Sequence, residues 1–73
     1  MINHLSKEDL AYLARSGGGL DIYADDRSVE DLSFIASNMV PGSRFIIRGP
    51  ASFTTEELAS IARSGNGVVM FQG

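Results

Sequence analysis

The 73-residue chain contains no cysteine, so it can form neither a disulfide framework nor a thiolate metal site. It has one histidine, His4, close to the N-terminus. A zinc site without cysteine or a second histidine would rest mostly on carboxylates, an unusual donor set. No apolar stretch reaches the length that crosses a bilayer. The opening residues MINHLSKEDL show neither the basic start nor the apolar run of a secretory signal. The expectation is a cytoplasmic protein without a membrane partner. Positive charge is also scarce. Six Lys and Arg face nine Asp and Glu, and a net charge of −3 disfavours nucleic acid as the main partner.

What is present is a globular composition, 44% hydrophobic. The length allows one domain, residues 1–73. A domain of this size buries only about 60% of its unfolded surface. Self-association is one common way for so small a core to gain area.

The strongest signal is internal repetition. The stretches LSKEDLAYLARSGGGLDIY, RSVEDLSFIASNMVPGSRFIIR and FTTEELASIARSGNGVVMF align on an acidic pair followed by Leu10, Leu32 and Leu58. These anchors lie 22 and 26 residues apart, and the second copy carries extra loop residues around Val40-Pro41-Gly42. Ser6, Ser28 and Thr54 stand where a helix N-cap accepts a free backbone N–H, with Asp9, Asp31 and Glu57 three residues on. Only Thr54 and Glu57 have the side chains of a full capping box. Leu5 with Leu10, and Phe53 with Leu58, have the spacing of a hydrophobic staple.

Leu10, Leu13 and Ala14 recur at helical spacing, as do Leu32, Ile35 and Ala36, and Leu58, Ile61 and Ala62. Ser16-Gly17 and Ser64-Gly65 are expected helix ends, with Arg15 and Arg63 in the last turns where a cation suits the dipole. Short strands are expected at Leu20–Ala24, Phe45–Arg48 and Val68–Phe71. The order is α-β-α-β-α-β. A helix between successive strands makes them parallel, with right-handed crossovers. The fold class is therefore α/β: three tandem helix–strand repeats (about 5–25, 26–49 and 51–73) forming a three-stranded parallel sheet with helices on one face. This resembles the helix-containing leucine-rich repeats in architecture alone. The asparagine that follows the strand in that family is replaced by Asp25, Pro50 and Gly73, and the resemblance implies no particular activity.

The glycine triplet Gly17-Gly18-Gly19 follows a helix, whereas a phosphate-binding loop precedes one. It reads as a helix stop. Six carboxylates (Glu8, Asp9, Glu30, Asp31, Glu56 and Glu57) fall in first helical turns, where they offset the dipole. Asp25-Asp26 reads as a turn, and Asp21, Asp25 and Asp26 would be the first residues to test in a small enzyme. Neither Ser16 nor Ser64 has an evident base. No catalytic constellation, metal site or cofactor is expected, so the chain reads as non-enzymatic. Tyr12 and Phe34, at equivalent helix positions, are expected to pack between helices.

Alternation assigns Leu20, Ile22, Phe45, Ile47, Val68 and Met70 to the helix-facing side of the sheet. It leaves Asp21, Tyr23, Ile46, Arg48, Val69 and Phe71 on the other side, with Arg48 in a row between Tyr23 and Phe71. A mixed apolar and aromatic face of this kind is a candidate interface. Val68–Phe71 also forms an uncharged edge open to pairing. The function expected is a small protein–protein interaction module that binds itself or another protein through this face or this edge. The alternative is single-stranded nucleic acid stacking on Tyr23 and Phe71, with Arg44 and Arg48 supplying charge.

Overall fold

Each helix begins where a hydroxyl takes up a backbone N–H. In the computed structural model, which describes residues 4–24, 27–50 and 52–73, α1 spans Lys7–Arg15, α2 Val29–Ser37 and α3 Thr55–Gly65. The Ser6 hydroxyl accepts from Asp9 N–H at 3.1 Å, Ser28 from Asp31 N–H at 3.1 Å, and Thr54 from Glu57 N–H at 3.1 Å. At α3 the bond is reciprocated, because Thr54 N–H donates to Glu57 Oε1 at 2.8 Å and completes the capping box. Each such cap is worth about 1 kcal/mol. The α1 helix closes at Ser16, and Gly17 takes φ 95°, a left-handed conformation that glycine adopts without a Cβ clash.

The strands are β1 Leu20–Tyr23, β2 Phe45–Arg48 and β3 Val69–Gln72, in the spatial order β1-β2-β3 and all parallel. Sequential order with a helix between each pair of strands places the helices in one layer. Leu10, Leu32, Ile35 and Ile61 from the helices bury completely against Ile22, Phe45 and Ile47, with Leu20 nearly so. Each of these side chains contributes about 1.5–3 kcal/mol on leaving water. Ala14 and Ala36 are also buried, and their lack of bulk lets neighbouring elements close on one another.

The third repeat differs from the expected pattern by one residue. The α3 helix runs through Gly65, and Asn66 takes the left-handed turn at φ 51° and ψ 49°. Gly65 is therefore a buried helical residue, not a helix stop, and a Cβ there would overlap Cγ2 of Val69. The strand begins one residue late as well, at Val69. A slip of one residue exchanges the two faces of a strand. Val69 pairs with Phe45 and Phe71 with Ile47, so both turn toward the helices and pack on the core. Met70 turns outward and is 41% exposed. The expected outward placement of Val69 and Phe71, and the inward placement of Met70, are thereby reversed.

The aromatic residues of the helix layer also depart from expectation. Tyr12 is 63% exposed and Phe34 42% exposed, so neither is enclosed between helices. Each instead lies near a cation, with Arg15 5.8 Å from the Tyr12 ring centre and Lys7 6.0 Å from that of Phe34.

Candidate interaction surface

The outer side of the sheet carries Asp21 and Tyr23 from β1, Ile46 and Arg48 from β2, and Met70 and Gln72 from β3. Of the six residues expected there, Asp21, Tyr23, Ile46 and Arg48 are brought together, while Val69 and Phe71 are on the opposite side. Arg48 does not lie between two rings. It reaches diagonally to Asp21, with Nε donating to Oδ1 at 2.6 Å and a terminal nitrogen to Oδ2 at 2.9 Å. Its other terminal nitrogen donates to Gln72 Oε1 at 3.1 Å. One guanidinium thus spans all three strands. The hydrogen bonds from Arg48 hold the Asp21 carboxyl below the usual aspartate range against an opposing desolvation effect, and the same bonds raise Arg48.

This network changes how the face reads. Three of its six side chains are polar or charged, and they satisfy one another. All-parallel sheets are usually covered on both faces, and here the mutual hydrogen bonds of Arg48, Asp21 and Gln72 lower the cost of leaving this one in water. The aromatic–arginine–aromatic platform that would stack bases is not formed. Asp21 is engaged with Arg48, while Asp25 and Asp26 lie outside the described residues. Among the described residues no group of three or more His, Cys, Asp or Glu is placed to hold a metal ion. No helix among them is long and apolar enough to cross a membrane.

A second surface emerges when equivalent positions of the three repeats are compared. Leu10 and Ala14 in the first repeat, and Leu32 and Ala36 in the second, are buried; Leu58 and Ala62 in the third are only partly so. The strands behave alike. Leu20 and Ile22, then Phe45 and Ile47, are buried, whereas Val69 and Phe71 remain partly exposed. The common cause is a neighbour. In the first two repeats these positions face the next repeat, as shown by Ala36, whose Cβ lies 3.4 Å from where a Cβ on Gly65 of α3 would stand.

The flank of the third repeat is consequently an apolar shelf formed by Leu58, Ala62, Val69 and Phe71. It runs beside the free edge of β3. Phe45 N–H donates to Val68 C=O at 2.9 Å and Gly49 N–H to Gln72 C=O at 2.8 Å. In a parallel strand, alternate residues point to alternate neighbours, so the amides and carbonyls of Val69 and Phe71 point away from β2. The sequence expectation of an uncharged β3 edge agrees with this geometry, with the edge now running Val69–Gln72. The contribution of Leu58 and Ala62 was hidden in sequence because the repeat makes them look like core. Its signal is the repeat alignment itself: the last copy of an inter-repeat surface has no copy after it within the 73 residues.

No protein-family model matches the chain, and neither a curated protein nor a solved structure matches it.

Proposed function

We propose that the chain is a protein–protein interaction module that associates with further copies of itself through the flank of its third repeat and the free edge of β3. The observation that carries this reading is the difference between equivalent positions. Leu58, Ala62, Val69 and Phe71 are partly exposed where their counterparts in the first two repeats are buried. A second copy of this chain suits the surface because the chain already contains the shape that covers it, in its own following repeats. A domain this small also gains core area by association. The outer sheet face is a weaker candidate, since Arg48, Asp21 and Gln72 satisfy one another there.

The test is molar mass in solution across a concentration series from micromolar to millimolar. Mass should rise with concentration, and Leu58→Glu should hold it at the monomer value. A monomer throughout the series would refute the reading.

A further inference from the structure

Resting on the self-association reading, the structure also assigns which part of the second copy docks. We infer that association is head to tail: the third-repeat flank of one copy receives the first-repeat flank of the next. The reverse face of each repeat differs between copies in the same way. Ile35 in α2 and Ile61 in α3 are completely buried, whereas Leu13, the equivalent residue of α1, is partly exposed. Ile35 and Ile61 have a preceding repeat to pack against, and Leu13 has none among the described residues. The inter-repeat contact therefore has two halves, a shelf (Leu10 and Ala14 types with the inward strand residues) and a knob (Leu13 type). The chain joins these halves internally between repeats one and two and again between two and three. Among the described residues one shelf and one knob remain, in the third and first repeats.

The strand edges agree with this polarity. Leu20 N–H donates to Arg44 C=O and Ala24 N–H to Arg48 C=O, so Leu20 and Ala24 point toward β2. Alternation turns the amides of Asp21 and Tyr23 to the outer edge of β1. At the β1–β2 seam, inward-facing residues of one strand bond to outward-facing residues of the next, as the buried Leu20 and Ala24 do to Arg44 and Arg48. Val69 and Phe71 are inward-facing, and Asp21 and Tyr23 are outward-facing. A β3 edge against the β1 edge of another copy reproduces that pairing and continues the parallel sheet.

Polar groups at the helix ends fit as well. Arg15 donates to Asn38 Oδ1 at 3.1 Å, which ties α1 to α2 at their C-termini. Arg63 stands at the position of Arg15, and Ser16 at the position of Asn38. The Lys7–Asp31 ion pair, 3.1 Å across the N-termini of α1 and α2, has Thr55 and Asp9 as its counterparts at the new junction, which brings no like charges together. Such a contact is heterologous. It leaves a shelf and a knob free after every addition, so it builds open chains unless the rotation between copies closes a ring.

The experiment uses two variants and their mixture. Leu13→Glu blocks the knob and Leu58→Glu blocks the shelf; both sites are partly exposed, and circular dichroism melts establish that each variant is folded. Should a glutamate unfold the chain, Leu13→Ser and Ala62→Arg replace it. Each variant alone should lose self-association at least tenfold. Their equimolar mixture should form a one-to-one dimer, because one variant keeps an intact shelf and the other an intact knob. A Leu13→Glu variant that still dimerises would show two-fold pairing of the shelves and overturn the head-to-tail inference while leaving self-association standing. Folded monomeric variants whose mixture stays monomeric would also overturn it. A wild-type chain that is monomeric at every concentration would remove both readings together.

Discussion

Arg48 grips both carboxylate oxygens of Asp21 across the β1–β2 seam, at 2.6 and 2.9 Å. The two residues are not paired in register. Arg48 stands opposite Tyr23 and Asp21 opposite Ile46, so the fork runs diagonally over the sheet. It polarises the outer face and marks it as a surface at ease in water.

The fork makes the stability depend on acid in a defined direction. Asp21 has a folded-state pKa below its ordinary value, chiefly through the hydrogen bonds from Arg48. The unfolded chain therefore takes up this proton first. The contribution of the fork is complete at neutral pH, begins to fade as pH drops through the ordinary aspartate value of about 4, and is gone below the folded-state value. Asp21→Asn should lower the melting temperature slightly at pH 7, less so at high salt, and by a smaller amount near pH 2. Equal destabilisation at both pH values would assign the effect to something other than the charge.

The strand phase of the third repeat can be read from two neighbouring truncations. Phe71 packs on the core beside Ile47, while Met70 points to solvent. Phe71→Ala should cost about 2–3 kcal/mol, toward the low end for a partly buried aromatic, and Met70→Ala under about 1 kcal/mol. Urea unfolding of the two variants provides the comparison. The reverse order would restore the phase with Met70 inward.

Gly65 is fixed by space, not by backbone angle. A Cβ at this position would overlap Val69 Cγ2, and ordinary helix propensity would favour alanine by about 1 kcal/mol. Overpacking of this kind costs about 1–3 kcal/mol. Gly65→Ala should therefore be net destabilising, and the double change Gly65→Ala with Val69→Ala should recover part of the loss. Thermal unfolding of the three variants measures that coupling; simple additivity would mean the two side chains do not meet.

The central strand sets the scale for the whole domain. Ile47 is completely buried between the helix layer and its neighbours. Ile47→Ala should cost about 2–5 kcal/mol, a large share of the 5–15 kcal/mol that stabilises a typical domain. A loss of cooperative melting at 37 °C is the expected result. Ile46→Ala, one residue along and on the other face, should leave a cooperative transition.

The reach of the sequence can be judged from particular residues. Ser6, Ser28 and Thr54 were legible as caps because a cap is a local contract between a hydroxyl and an amide three residues away. Leu10, Leu32, Ile35 and Ile61 were legible as core because helical period and burial share one geometry. The Asp21–Arg48 fork was not legible, since it depends on a diagonal reach across the sheet between residues 27 apart in the chain. The exposure of Tyr12 and Phe34 is not legible, because hydrophobicity says nothing about how far apart two helices sit.

By itself, then, the amino-acid order determined the alternation of helix and strand, the parallel sheet and the identity of most core residues. All of these follow from short-range period, capping and chain connectivity. Tertiary structure decided the phase of β3 and with it the position of the open surface. The cause is close packing: Gly65 lets α3 run on until it meets Val69, and the strand that follows starts one residue later. In a strand that single residue exchanges inside for outside, so contact between distant parts of the repeat settles what no local pattern could.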